Sequence, residues 1–126
     1  MKRALIAGLA ALSITMLTVG GATARTDAGQ AKGPCSAGSE WELRLTDRGR
    51  TFRVRWDVDS GVVGEQWSMS VSQNGTTIAS GMRTTNAAGE AEFRLRGVPD
   101  NTGPDTFSGL ATNPATGETC SATSTV

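Results

Sequence analysis

The side chains that usually carry catalysis are scarce in this sequence. It contains no His and no Tyr. A Ser or Cys nucleophile therefore lacks its usual base, and no phenol is available as a general acid. Apart from Lys2, the only Lys is Lys32, so a Ser–Lys pair or a Schiff base is disfavoured. The carboxylates fall into pairs two residues apart: Glu40 with Glu42, Asp57 with Asp59, and Glu90 with Glu92. A glycosidase needs two carboxylates across a cleft in different environments. Pairs spaced i, i+2 share one strand face instead, and these read as solvated faces.

Metal chemistry is no better supplied. Asp57, Asp59, Asp100, Asn101 and Asp105 offer oxygen ligands near predicted strand ends, but no loop has the spacing of a calcium hand. Two Cys without His do not complete a tetrahedral zinc site. The expectation is a chain with no catalytic residues, no metal and no cofactor.

Binding chemistry is the remaining option. Trp41, Trp56 and Trp67 would suit carbohydrate stacking, yet each shares parity with the aliphatic residues of its strand and reads as core. Arg53 and Arg55 could hold an acidic group, but cross-strand pairing with Glu42, Glu90 and Glu92 is the simpler reading. Ser68, Ser70 and Ser72 alternate on one strand, and Thr119, Ser121, Thr123 and Thr125 on another. If those two strands share a sheet, its outer face is flat, uncharged and rich in hydroxyls. A second candidate contact is the proline-braced stretch Gly97–Pro104, with Val98, Asp100 and Asn101 as contact residues.

These residues must be positioned by strands. Thr51–Asp59 alternates Phe52, Val54, Trp56 and Val58 with Arg53, Arg55, Asp57 and Asp59, the period of a strand with one buried face. Residues 40–45 alternate in the same way, and a hairpin about Asp47–Arg50 would bring Trp41 near Trp56 and Glu42 near Arg55. Residues 66–72 place Trp67, Met69 and Val71 inward. Asn74-Gly75 predicts a type I′ hairpin into residues 76–83, with Ile78 and Met82 inward. Residues 90–96 put Ala91, Phe93 and Leu95 inward. Phe107 and Leu110 fall on opposite parities of the next strand, and a bulge at Gly109 would reconcile them. Residues 118–126 form the last strand. About seven short strands with turns between them predict an all-β, antiparallel, immunoglobulin-like sandwich with a Greek-key path. The label is architectural, since the Cys pair is not on the second and sixth strands and no tyrosine corner exists.

Met1–Ala24 has the form of a signal peptide: Lys2 and Arg3, then an apolar run, then Ala22-Thr23-Ala24. Residues 25–34 read as a flexible lead-in and 35–126 as the domain. Removing residues 1–24 leaves 102 residues with 10 basic and 12 acidic side chains. That balance argues against nucleic acid or an anionic membrane as partner. Cys35 and Cys120 are the only cysteines, and an even count in an exported chain predicts one disulfide.

The stretches Cys35-Ser-Ala-Gly-Ser-Glu-Trp41, Gly64-Glu-Gln-Trp67, Asn74-Gly75 and Ala111-Thr-Asn-Pro-Ala-Thr-Gly-Glu-Thr-Cys120 resemble a group of small secreted actinobacterial β-sandwich proteins without assigned function. The resemblance spans the mature domain and carries no catalytic motif. Asn86–Arg96 is also similar to the secreted chromoprotein apoproteins of the neocarzinostatin type, which hold a ligand in a cleft. The combined expectation is a secreted, non-enzymatic binding module for a protein or glycan. The alternatives are an enzyme inhibitor acting through Gly97–Pro104, or a small-ligand carrier.

Overall fold

The computed structural model describes residues 26–126. The signal-peptide expectation for residues 1–24 lies outside them. Eight strands run in the order β1 (Thr26–Pro34), β2 (Glu40–Asp47), β3 (Thr51–Asp59), β4 (Gln66–Gln73), β5 (Thr76–Thr84), β6 (Glu90–Pro99), β7 (Thr106–Thr112) and β8 (Thr119–Thr125). They form two antiparallel four-stranded sheets, β1-β2-β3-β6 and β5-β4-β7-β8. The chain passes between sheets after β3, after β5 and after β6, which interlocks the two halves as expected for a Greek-key sandwich. No helix occurs among the described residues, so none there is long and apolar enough to cross a membrane.

The alternation seen in sequence becomes the core. Leu43, Leu45, Val54, Trp56, Val58, Trp67, Met69, Val71 and Phe107 are all buried between the sheets. Trp56 lies at the centre. Its indole nitrogen donates to the Leu110 carbonyl oxygen at 3.1 Å, and its ring packs 6.0 Å from Trp41. Phe52 and Phe107 meet edge to face across the sheets, 5.6 Å apart. Trp41 is only half-buried, and its indole nitrogen donates to the Pro34 carbonyl oxygen.

Four expectations need correction. Residues 26–34 are not a flexible lead-in but strand β1, paired along its length with β2. Its hydrogen bonds are made by the backbone, so its lack of large apolar side chains did not prevent pairing. Gly33 admits the Trp41 ring, because a Cβ there would sit 2.6 Å from it. Second, the β2–β3 register differs by two residues: Glu42 faces Asp57, and Arg44 faces Arg55.

Third, Ile78 and Met82 are 37% and 48% exposed; Met82 points outward beside Ser68, and Ile78 lies at the open edge between the sheets, near Leu95 and Val98 of β6. The Asn74-Gly75 turn forms as expected, with both φ angles positive at 51° and 84°. A bulge then shifts the register between Val71 and Ser72, so that Val71 faces Ala79 and Met69 faces Gly81. Without it Ile78 would face Val71 and Met82 would face Trp67, both inward. Fourth, β7 pairs with both neighbours without a register shift, so Gly109 marks no bulge. Leu110 does point outward. Gly109 instead makes room for Trp56, since a Cβ there would fall 2.5 Å from the indole.

Cys35, just beyond β1, is bonded to Cys120 in β8, with Cα atoms 4.5 Å apart. The bond joins the two sheets. A disulfide is consistent with an extracellular protein.

Candidate functional site

The two outer faces of the sandwich are the largest surfaces that the strands organise. On the β5-β4-β7-β8 sheet, the strand carrying Ser68, Ser70 and Ser72 and the strand carrying Thr119, Ser121 and Thr123 lie on either side of β7. The register sets them in rows: Met82, Ser68, Thr112 and Thr119; then Ser80, Ser70, Leu110 and Ser121; then Thr77, Ser72, Ser108 and Thr123. No charged side chain stands in these rows. The predicted hydroxyl face is therefore assembled as one surface, and β7 completes it with Ser108 and Thr112. Sequence reading had missed the apolar protrusions. Leu110 is 56% exposed at the middle of the face, and Met82 lies on the next row. The expected bulge at Gly109 had hidden Leu110, and the unseen bulge in the β4–β5 hairpin had hidden Met82.

The one charged residue within these four strands is turned away from the face. Arg83 stands opposite Trp67 on the inner side. Its guanidinium carbon lies 4.1 Å from the centre of the Phe93 ring, closing the edge of the core.

The β1-β2-β3-β6 sheet is the opposite. Cross-strand rows on its outer face carry like charges: Glu40, Asp59 and Glu90; Glu42, Asp57 and Glu92; Arg44, Arg55 and Arg94. Attraction runs between rows, along each strand and once diagonally from β3 to β6. Arg55 Nε lies 3.0 Å from Asp57 Oδ2 and 3.2 Å from Glu92 Oε2. Arg94 Nε lies 2.8 Å from Glu92 Oε1, and Arg44 Nη2 lies 3.6 Å from Glu42 Oε2. Of the predicted partners of Arg55, only Glu92 is paired with it.

Five of the six paired carboxylates converge in a shallow cleft of about 400 Å³, lined by Glu40, Glu42, Asp57, Asp59 and Glu90 with Trp41 as one wall. Asp57 is not a solvated face residue, being only 6% exposed. Burial pushes its pKa up to about 6; Arg55 opposes this, while Glu42, Glu90 and Glu92 add to it. Among the described residues, no group of three or more His, Cys, Asp or Glu is arranged to hold a metal ion. The oxygen ligands considered for calcium are separated: Asp57 and Asp59 end β3, whereas Asp100 follows Pro99, the partner of Thr51 at the start of that strand.

The 97–104 stretch is largely absorbed into structure. Val98 is buried in β6 opposite Phe52, so it is not a contact residue. Asn101 is committed to Asp105, donating to it from both its backbone and its side-chain nitrogen at 3.0 Å. Asp100 is exposed, but its carboxyl also meets that of Asp105, and burial together with this neighbour raises its pKa; its backbone nitrogen donates to the Arg50 carbonyl oxygen.

Two buried carboxylates hold the ends of the fold: Asp105, considered above only as a calcium ligand, and Glu118, which no motif marks. Asp105 accepts from Gln73, Asn74 and Asn101. Burial pushes its pKa up, but these hydrogen bonds outweigh that and hold it below the ordinary value. Glu118 accepts from Ala37 N, Ser39 N and Ser39 Oγ, beside the disulfide. Burial again raises its pKa and the donors more than reverse the effect. Both carboxylates are structural, and neither lies in a cleft. Spacing alone gives little signal for them, because apart from Asn101 their partners are distant in sequence.

No protein-family model and no curated protein matches this chain.

Proposed function

We propose that this chain is a secreted, non-enzymatic binding module that meets an uncharged partner surface, on a protein or a glycan, with the outer face of the β5-β4-β7-β8 sheet. One observation carries the reading. Four adjacent strands present rows of Ser and Thr around the exposed Leu110, without a charge among them. Such a face loses no ion hydration on contact, while Leu110 and Met82 supply apolar anchors. The signal-peptide pattern and the resemblance to small exported actinobacterial proteins support the extracellular setting, and the disulfide is compatible with it.

The alternatives are less well supported. An inhibitory loop needs exposed contact residues, and Val98 is buried. A carrier needs an open space between the sheets, where Trp56, Trp67 and Phe107 are fully buried. The test uses the oxidised domain on glycan arrays and against extracellular proteins and cell-wall fractions. Binding that is lost in Leu110→Glu and in Ser70→Glu supports the reading. Binding that survives both, or turnover of a glycan or peptide by the purified domain, overturns it.

A further inference from the structure

Across β2, β3 and β6 the charges on this face are arranged antisymmetrically about one cross-strand row, and β1 adds Lys32 beside Glu42 within the acidic half. Leu43, Trp56 and Phe93 stand side by side in register on β2, β3 and β6. On β3, Asp57 and Asp59 lie one and three residues beyond Trp56, and Arg55 and Arg53 lie one and three residues before it. On β6, Glu92 and Glu90 precede Phe93 at those spacings, and Arg94 and Arg96 follow it. On β2, Glu42 and Glu40 precede Leu43, while Arg44 and Thr46 follow. β2 and β6 both run antiparallel to β3, so their acids fall beside the acids of β3. Six carboxylates occupy one half of the face, and five guanidiniums with Thr46 occupy the other. The basic half lines its own depression of about 270 Å³.

We infer that this face is a docking surface for a second copy of the same chain. A two-fold axis lying parallel to the face, along the Leu43–Trp56–Phe93 row, sets the acidic half of each copy against the basic half of the other. Asp59 then stands over Arg53 of the second copy, and Glu90 over its Arg96. Each of those contacts occurs twice by symmetry. A parallel shift or rotation that aligns like halves is repelled, so the charge pattern selects one orientation.

Size sets the strength. Four strands about 4.8 Å apart and seven residues of about 3.4 Å each give a face of roughly 450 Å². That is at the small end for specific association, so the dimer is weak and rapidly exchanging. The association does not depend on the binding role proposed for the opposite face. If that role holds, the dimer places two hydroxyl faces pointing outward in opposite directions, making a bivalent module.

Sedimentation velocity of the oxidised domain over a concentration series tests this. The association should weaken at least about tenfold between about 0.01 M and about 1 M salt, as the screening length falls from about 30 Å to about 3 Å. The double variants R53E/R96E and D59R/E90R should each be monomeric, because each sets like charge against like at all four outer contacts. Mixed in equal amounts they should form a heterodimer, since every contact is then opposite in sign. Circular dichroism of each variant confirms that it is folded. A monomer at every concentration in low salt would overturn the inference. So would a dimer indifferent to salt, or a mixture of folded variants that stays monomeric.

Discussion

The two outer faces of this sandwich share one core and one kind of strand, yet their surfaces have almost nothing in common. On the β5-β4-β7-β8 sheet the outward positions are Ser, Thr and a few apolar residues. On β2, β3 and β6 of the other sheet they are Glu and Asp in one half and, Thr46 apart, Arg in the other, with Lys32 of β1 beside Glu42. Pleating imposes the alternation on both, and it constrains only the inward set. The outward set is free to take a different character on each side. The near-zero net charge of the whole chain conceals this contrast, because the ionic residues cancel within one face and are absent from the other.

The largest expected effect asks whether the two faces depend on one scaffold. The Cys35–Cys120 bond closes a loop of 85 residues and ties one sheet to the other. Replacing both by Ser should cost about 2–5 kcal/mol. At roughly 4–8 °C per kcal/mol, Tm should fall by more than about 10 °C with strand content retained at low temperature. Scanning calorimetry and circular dichroism measure both, and an unchanged Tm would show that the sheets hold together without the bond.

A smaller effect should come from the close approach of Gly109 in one sheet to Trp56 in the other. Gly109→Val drives a side chain into the Trp56 ring. Overpacking there should cost about 1–3 kcal/mol or more, with a shifted tryptophan emission. Wild-type stability would mean that Trp56 moves easily, and that the two faces are less firmly coupled than the packing indicates.

The pH dependence separates the faces further, since only one of them titrates. Asp57 has a folded-state pKa of about 6 against an ordinary 3.8. The folded protein holds that proton more tightly than the unfolded chain, so stability from this group declines as pH rises through about 4 to about 6. Asp57→Asn should flatten that segment of a urea-stability profile. Asp105 and Glu118 act with the opposite sign: their folded pKa values are lowered. Their contribution is present above the ordinary carboxylate range and is lost as pH falls through the folded values. A profile unchanged by Asp57→Asn would remove Asp57 as the source of the slope.

The smallest effect on stability belongs to the uncharged face. Leu110→Ala should change ΔG by no more than about 0.5 kcal/mol, because the side chain is exposed. A substantial loss in denaturant melts would reveal that Leu110 supports the fold and would weaken its assignment as a contact.

Much of the fold was legible in residue order. The alternation of Phe52, Val54, Trp56 and Val58, and of Trp67, Met69 and Val71, announced the inward faces because the pleat has a strict local period. The Asn74-Gly75 turn was legible because few residues accept two successive positive φ angles. The single pair of Cys left one intramolecular partner for each. The candidate hydroxyl residues were legible as strands but not as a surface, since nothing local says that β4 and β8 flank β7. Nor did anything local expose β1, which is held by backbone groups that every residue possesses.

Register and sheet membership came from the assembled molecule. A bulge of one residue turned Ile78 and Met82 from core to surface. A two-residue difference in the β2–β3 pairing converted expected Glu–Arg neighbours into rows of like charge. Sequence spells out a strand's two faces because side-chain alternation is set within the strand. It is silent on which strand lies alongside and at what offset, because backbone hydrogen bonds are chemically alike at every offset and only the packing of distant side chains, here Trp56 against Gly109, distinguishes one from the next.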